Sequence, residues 1–362
     1  MGAHREQDAY RPDDAAADEA RAALVREIAL SGTLDDPAWH RAFAQVPRHL
    51  FVPYYFVGRP GGYDRLWYGD PDPRRRERWL RGAYADSAIA TRVRDGELIS
   101  SSSQPSLMAR MLHELGVGDG DRVLEIGAGS GYNAALLSHR LGEDHVTTID
   151  LDPEITESAR THLATAGYRP AVVTGDGVRG CPERAPFDRI IATCALPSVP
   201  LGWLAQCAPG ARILAPLATG LIVLDAGEAR GAGEAGEAGE AGRAGRPDFA
   251  EGRFLPTPAF FVPLRGTPQG VPMAARPLGG LPKAVKDHDL FRFLLALTEG
   301  SLDPHEALSL WELEGRPGRE RYGVTVSGGR QWAWLDDPAG PYVWPLEPAD
   351  PAIAGLISPG GP

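Results

Sequence analysis

The stretch VLEIGAGSGYN, residues 123–133, constrains the fold more than any other part of the chain. A short apolar run with one acid ends in three alternate glycines, Gly127, Gly129 and Gly131, and the helical pattern YNAALLSHRLG follows at once. A strand that opens through glycines into a helix lets a ligand approach the main chain closely, beside free amides at the helix start. The same grammar then repeats, with HVTTID, PEITESARTHLATAG, PAVVTGD, FDRIIATCA, PLGWLAQCA and ARILAPL reading as strands and helices. Such alternation predicts a doubly wound α/β domain with a mostly parallel sheet.

The glycine turn narrows the ligand. Its G-x-G-x-G spacing lacks the later glycine of a dinucleotide fingerprint, Asn133 standing near that point, and no G-K-[ST] follows to cradle phosphates. Acids close the strands instead. Glu125 lies just before the turn, Asp150 ends the next strand where a carboxylate can take two ribose hydroxyls, and Asp176 ends the third, near the place of an adenine amino group. Helix capping accounts for Asp150 and Asp152 but not for the whole set. An adenosyl group held by carboxylates, without phosphates, points to S-adenosylmethionine and a Rossmann-like class I methyltransferase. An activated methyl group requires alignment and exclusion of water, and a carboxylate acceptor is already ionised at neutral pH. His49 and His113 are accordingly read as a packed loop residue and a helix-face residue, not as bases.

Composition excludes other classes. A net charge of −11 gives no broad footprint for nucleic acid, and the basic run RRRER, Arg74–Arg78, reads as a solvated face or a clamp for an acidic peptide. Cys181, Cys194 and Cys207 are too far apart for a metal or redox pair, which fits a reducing cytoplasm and no bound metal. The first ten residues do not resemble a signal peptide, and no apolar run is long enough to span a membrane.

Organisation outside the α/β core is less regular. Residues 1–17 are polar and are expected to be disordered, followed by a helix with Ala22, Leu24, Val25 and Ile28 on one face and a second helix in DPAWHRAFAQV. Residues 58–82, rich in Gly, Pro, Arg and Asp, read as an irregular insert. A serine run, LISSSSQP, reads as a loop before an amphipathic helix with Leu107, Met108, Met111, Leu112 and Leu115 inward. The Gly/Glu/Ala tract at 227–247 is expected at the tip of a β-hairpin between GLIVLDAG and FLPTPAFFVPL, so that one domain covers residues 18–266. Residues 283–362 then form a small C-terminal α+β extension whose Trp311, Trp332, Trp334 and Trp344 belong to a core.

Several of these stretches, in order, resemble the protein-L-isoaspartate O-methyltransferases over roughly residues 20–266. VPRHLFVP is similar to the family's N-terminal signature, AYADSAI to its Y-x-D element, SSSQP to its substrate loop, and VLEIGAGSGYNAALLS with GDGVRGCPERAPFDRIIATCALPSVP to its cofactor and sheet motifs. The resemblance implies methyl transfer from S-adenosylmethionine to an aspartyl-type carboxylate in a peptide or protein, followed by closure of the ester to a succinimide. By position it implies Ser103 as the active-site serine, with Ser101, Ser102, Tyr84 and Cys194 on the substrate side. Glu125, Gly127, Gly129, Gly131, Asp150, Leu151, Asp176 and Gly177 fall on the cofactor side.

The departures lie on the acceptor side. Ser101 and Ser102 replace the family's usual Thr and Ile, TRVRDGEL lengthens the path from the Y-x-D element to the serines, and the 58–82 insert and the C-terminal extension are added. Ser100, Ser101 and Ser102 either supply hydroxyls to a different acceptor geometry or give the loop freedom to close. This pattern is similar to a divergent branch that modifies an L-aspartyl residue of one dedicated ribosomally made peptide, such as a lanthipeptide, lasso peptide or graspetide. That is the expected function, with general isoaspartyl repair as the alternative and a non-catalytic binding module as a second.

Overall fold

In a computed structural model the described residues are 14–30, 32–227, 247–265 and 278–347. The chain opens with α1 (Asp14–Leu30), which buries Leu24, Val25 and Ile28, and α2 (Pro37–Gln45), whose Asp36 caps the Ala38 amide at 2.7 Å. Residues 14–17, expected to be disordered, belong to the first helix, and the remainder of that expectation, 1–13, lies outside the described residues.

The expected irregular insert is ordered secondary structure. Strands β1 (Tyr54–Arg59) and β2 (Gly62–Trp67) form an antiparallel hairpin, and α3 (Pro73–Ala83) follows, with Asp72 accepting from the Arg74 amide at 2.9 Å. An Asp-Pro start marks both α2 and α3, so the signal was present in DPDPRRRERWL but was masked by its composition. The serine run is likewise a strand and not a loop. Strand β3 (Ile89–Arg94) turns through Asp95 and Gly96, both at positive φ (54° and 83°), into β4 (Glu97–Ser102). That Asp-Gly pair is the signature of a two-residue hairpin turn, and it explains the lengthened spacing. These strands form a four-stranded sheet in the order β2-β1-β3-β4. One face packs Tyr55, Leu66 and Ile89 around Trp79 of α3.

Helix α4 (Pro105–Leu115) buries Met108, Met111, Leu112 and Leu115, as its periodicity predicts. The α/β elements then follow the expected order: β5 (Val123–Ile126), α5 (Tyr132–Leu141), β6 (Val146–Asp150), α6 (Pro153–Thr165), β7 (Ala171–Thr174), β8 (Phe187–Ala192), α7 (Leu201–Leu204) and β9 (Cys207–Leu217). Two compact units divide the chain, one holding residues up to Asp121 with Ala128–Gly175, the other Arg122–Gly127 with the residues from Asp176 on.

In the first unit β6 and β7 pair in parallel. In the second, β5, β8 and β9 are parallel neighbours, but every later pairing is antiparallel, so the sheet is mixed rather than mostly parallel. The reason is connection length: β9 and β10 (Gly220–Gly227) are joined by a tight turn, which permits only antiparallel pairing. Strand β11 (Phe249–Pro258) pairs with β10 from Phe249, earlier than FLPTPAFFVPL implied, because the hairpin register sets it, and the ladder shifts register between Ile222 and Gly220 before its last pair at Pro258. The low-complexity tract between them, residues 228–246, lies outside the described residues.

The C-terminal extension does not build a sheet of its own. After α8 (Lys283–Lys286), α9 (Asp289–Leu297) and α10 (Pro304–Leu313), strand β12 (Tyr322–Ser327) pairs with β11, and β13 (Arg330–Leu335) and β14 (Val343–Pro345) continue outward. An open β11 edge would leave amides and carbonyls unpaired, and the extension covers it. Trp311, Trp334 and Trp344 are buried, in keeping with a core role. Among the described residues no helix is long and apolar enough to cross a membrane.

Gln331 of β13 docks the extension. Its side-chain oxygen accepts from the Val199 amide at 2.9 Å and its nitrogen donates to the Val199 carbonyl at 3.2 Å, both buried. Replacing Gln331 with Ala removes two bonds and strands two backbone groups, so a loss of about 2–3 kcal/mol is expected in urea denaturation.

Candidate active site

Three signature segments converge on one buried cation in the first unit. Arg48, from VPRH, is 0% exposed. Its Nη1 donates to the Ala83 and Ala85 carbonyls at 3.0 Å each, and its Nη2 to those of Ser87 and Ser103 at 3.1 Å each. Burial pulls the guanidinium down to about 10, which still leaves it charged at neutral pH. The following His49 meets the Tyr84 hydroxyl through Nδ1 at 2.7 Å, and burial pushes that phenol up to about 12.

Asp86 completes the clasp. The N-cap residue of α4, Gln104, makes no capping bond with its own side chain. Asp86 does so in its place, accepting from the Ser106 amide at 2.8 Å through Oδ1 and from Gln104 Nε2 at 3.1 Å through Oδ2. A carboxylate at a helix N-terminus satisfies orphan amides and meets the positive end of the dipole. The Y-x-D element therefore holds the S-Q-P segment from below while Arg48 holds it by its backbone.

The candidate acceptor residues fall into different environments. Ser103 is half-buried between β4 and α4, its carbonyl fixed by Arg48. Ser101 is half-buried on β4 opposite Ala90. Ser102 is 3% exposed and its hydroxyl has no hydrogen-bond partner among the described residues. Tyr84, expected to face substrate, is 5% exposed with its hydroxyl engaged by His49, so it stands behind the serine segment. Of the basic run, read as a solvated face or a clamp for an acidic peptide, Arg75 is tied to Asp64 and Asp70, Arg76 donates to the Asp70 carbonyl at 2.8 Å, and Arg74 and Arg78 are exposed.

On the first unit's part of the glycine turn, Gly131 has φ +86°, and a Cβ there would lie 3.3 Å from the Ala159 carbonyl oxygen and the Leu163 side chain of α6. Only glycine allows that approach. Asp150, at the end of β6, accepts the Gly129 amide at 3.4 Å on one oxygen and the Asp152 amide at 3.2 Å on the other. The next residue, Leu151, is 41% exposed, an apolar surface beside that carboxylate suited to an adenine face.

On the second unit's part, Glu125 is buried within β5. Gly127 has φ +97°, and a Cβ would sit 2.8 Å from Thr193 Oγ1, which donates to the Gly127 carbonyl at 2.8 Å. Cys194 is buried, its sulfur 3.9 Å from the Ile126 carbonyl. Asp176 accepts from the Val178 amide at 3.0 Å, and the adjoining Gly177 carbonyl accepts from the Trp203 indole at 2.8 Å. Within the first unit, Asp150, the exposed Leu151 and the close-packed Gly129–Gly131 turn fit a nucleoside held without phosphates. Among the described residues no group of three or more His, Cys, Asp or Glu side chains could hold a metal.

Sequence reasoning missed Arg48, Asp86 and Gln104, whose roles depend on contacts spanning 18 to 55 residues. It also missed a small, half-open cleft bordered by Tyr54, Arg92, Ser100, Gly129, Ser130 and His162, all in the first unit. His162 donates from Nδ1 to the Ser130 carbonyl at 3.0 Å, and burial holds the imidazole below its usual range.

The model of the protein-L-isoaspartate(D-aspartate) O-methyltransferase family matches residues 75–231. A protein-L-isoaspartate O-methyltransferase 1 of Anaeromyxobacter sp. is 39% identical over 213 residues, 57% of this chain and 84% of the relative. A protein-L-isoaspartate O-methyltransferase of Hyperthermus butylicus is 36% identical over 209 residues, 55% of this chain and 75% of the relative. A solved protein-L-isoaspartate O-methyltransferase structure shares the fold, with a TM-score of 0.56 at 20% identity, across 90% of this chain and 98% of the other.

Replacing Arg48 with Met leaves the four carbonyls without their donor. A destabilisation of about 3–5 kcal/mol is expected, read by thermal and urea denaturation, because charge-assisted bonds to a buried cation are lost together.

Proposed function

The chain belongs to the protein-L-isoaspartate O-methyltransferase family and is an S-adenosylmethionine-dependent carboxyl methyltransferase, and we propose that its acceptor is the α-carboxylate of isoaspartyl residues in proteins and peptides. The observation that carries this reading is the convergence of VPRH, Y-x-D and S-Q-P on Arg48 and Asp86, which holds Ser103 at the start of α4. These segments are not general features of methyl transfer, and their mutual bonding gives them one purpose, the placement of an acceptor.

S-adenosylmethionine supplies a methyl group already activated on a sulfonium. The residues of this chain then have to hold and align. Asp150 would take the ribose hydroxyls and Leu151 would cover an adenine face, and Glu125, Asp176, Gly127, Gly129, Gly131 and Gly177 would be the other residues on the cofactor side. Ser103 donates its hydroxyl to one oxygen of the acceptor carboxylate, so that the other oxygen attacks. Ser101, Ser102 and Cys194 serve the acceptor side, and Tyr84 is a positioning residue that acts through the serine segment. The ester closes to a succinimide when the following backbone nitrogen attacks, with methanol leaving.

Dedication to a single aspartyl peptide is the second reading. The C-terminal extension no longer favours it, because the shared fold of the solved relative spans 90% of this chain. What supports it is the sheet β2-β1-β3-β4, which converts the serine loop into a strand. Turnover of a generic isoaspartyl peptide, with the corresponding aspartyl peptide inert, is expected under the first reading; the reverse preference would establish the second.

Two substitutions separate the halves of the site. Ser103→Ala is expected to lower kcat/KM for isoaspartyl peptide about tenfold or more while S-adenosylmethionine affinity, measured by calorimetry, stays within about twofold. Asp150→Ala is expected to weaken cofactor binding by about 3–5 kcal/mol, two bonds to a charged acceptor being lost, with the acceptor KM little changed at saturating cofactor.

A further inference from the structure

One face of the sheet β2-β1-β3-β4 packs on α3, and the other carries a continuous row of side chains across all four strands. Paired residues project to the same side, and the pairings Arg65↔Phe56, Phe56↔Ala90 and Ala90↔Ser101 link β2 to β4 in one line. The neighbouring pair Tyr54↔Trp67 lies on the same side. Tyr54 meets Phe56 edge to face at 6.0 Å between centroids, and the Arg65 guanidinium sits 4.5 Å from the Tyr54 ring. None of these six residues is buried.

Charge on this face has one sign along the row. Arg65 is exposed and forms no ion pair among the described residues. The nearest acid of its strand, Asp64, projects to the opposite side, where Arg75 holds it at 3.1 Å. In a chain of net charge −11, an unpaired arginine stacked on aromatic rings is a local invitation to a carboxylate. The row ends at Ser101, two residues from Ser103, and Tyr54 also borders the cleft that reaches Gly129 and Ser130 of the glycine turn.

We propose that this outer face docks the segment of the acceptor polypeptide that flanks its modified residue, in extended form, with Arg65 receiving an acidic side chain. The proposal rests on the acceptor being an isoaspartyl or aspartyl residue of a polypeptide, and it names the part of the chain that recognises sequence around it. Strand spacing gives the scale. Three interstrand steps from Ser101 to Arg65 span about 14 Å, the reach of roughly four extended residues. Phe56 and Tyr54 supply flat apolar contact, and the small Ala90 between Phe56 and Ser101 leaves a shallow groove for the backbone.

The test compares a short isoaspartyl peptide with extended ones that carry Glu or Lys roughly four residues from the acceptor, on either side. The Glu peptide of one polarity is expected to have the lowest KM. Arg65→Gln should raise that KM about fivefold and Phe56→Ala about tenfold, with kcat unchanged and the short peptide unaffected. Arg65→Glu should reverse the preference toward the Lys peptide. Equal effects on short and extended peptides, or none on either, would overturn the proposal. Anisotropy titration of the labelled Glu peptide keeps the two readings apart. If wild type methylates none of the peptides, the acceptor assignment fails, and the titration still decides the surface: weaker binding by Arg65→Gln upholds it, and equal binding overturns it.

Discussion

A buried guanidinium donating to four backbone carbonyls is the constraint on which the acceptor side of this protein depends. Removing a cation from water is costly, and Arg48 offsets that cost only because Ala83, Ala85, Ser87 and Ser103 present their carbonyls to it together. Its partners are main-chain groups, so it fixes the course of the chain rather than a pair of side chains. Asp86 adds the complementary constraint by capping α4 from outside that helix. The S-Q-P segment is thereby anchored at the Ser103 carbonyl, at the Gln104 side chain and at the Ser106 amide that follows it, and the Ser103 side chain is half-buried.

This arrangement suits the chemistry. Methyl transfer to an ionised carboxylate needs no general base, so precision of placement is the main contribution a protein can make. The cofactor side follows the same logic with different means. In the first unit Gly131 at positive φ packs closely on α6, and in the second Gly127 lies against Thr193.

The additions to the fold differ in what they accomplish. The C-terminal extension completes a sheet: β12 covers the edge of β11, and Gln331 imitates a ladder partner for Val199. Its burial of Trp311, Trp334 and Trp344 is structural work. The insertions between Tyr54 and Ser102 have the opposite character. They bury one face under α3, and the other carries half-buried aromatic groups and the exposed Arg65 and continues into the serine strand.

Local physics made much of this legible in the amino-acid order. The glycine turn, the acids Glu125, Asp150 and Asp176, and the strand–helix alternation around them are encoded by residues adjacent in sequence, because turn geometry and side-chain periodicity are short-range. The α3 start at Asp72-Pro73 and the Asp95-Gly96 turn were equally local signals, hidden by a composition that reads as loop. Other features were decided only by tertiary structure. Arg48 reaches carbonyls up to 55 residues away, Tyr84 is turned inward by His49, Ser100–Ser102 become a strand because β3 is there to pair with them, and the extension adds β12 to the β11 edge. Each of these is a hydrogen bond between distant segments, and such bonds exist only once the chain has brought buried polar groups together that must be satisfied.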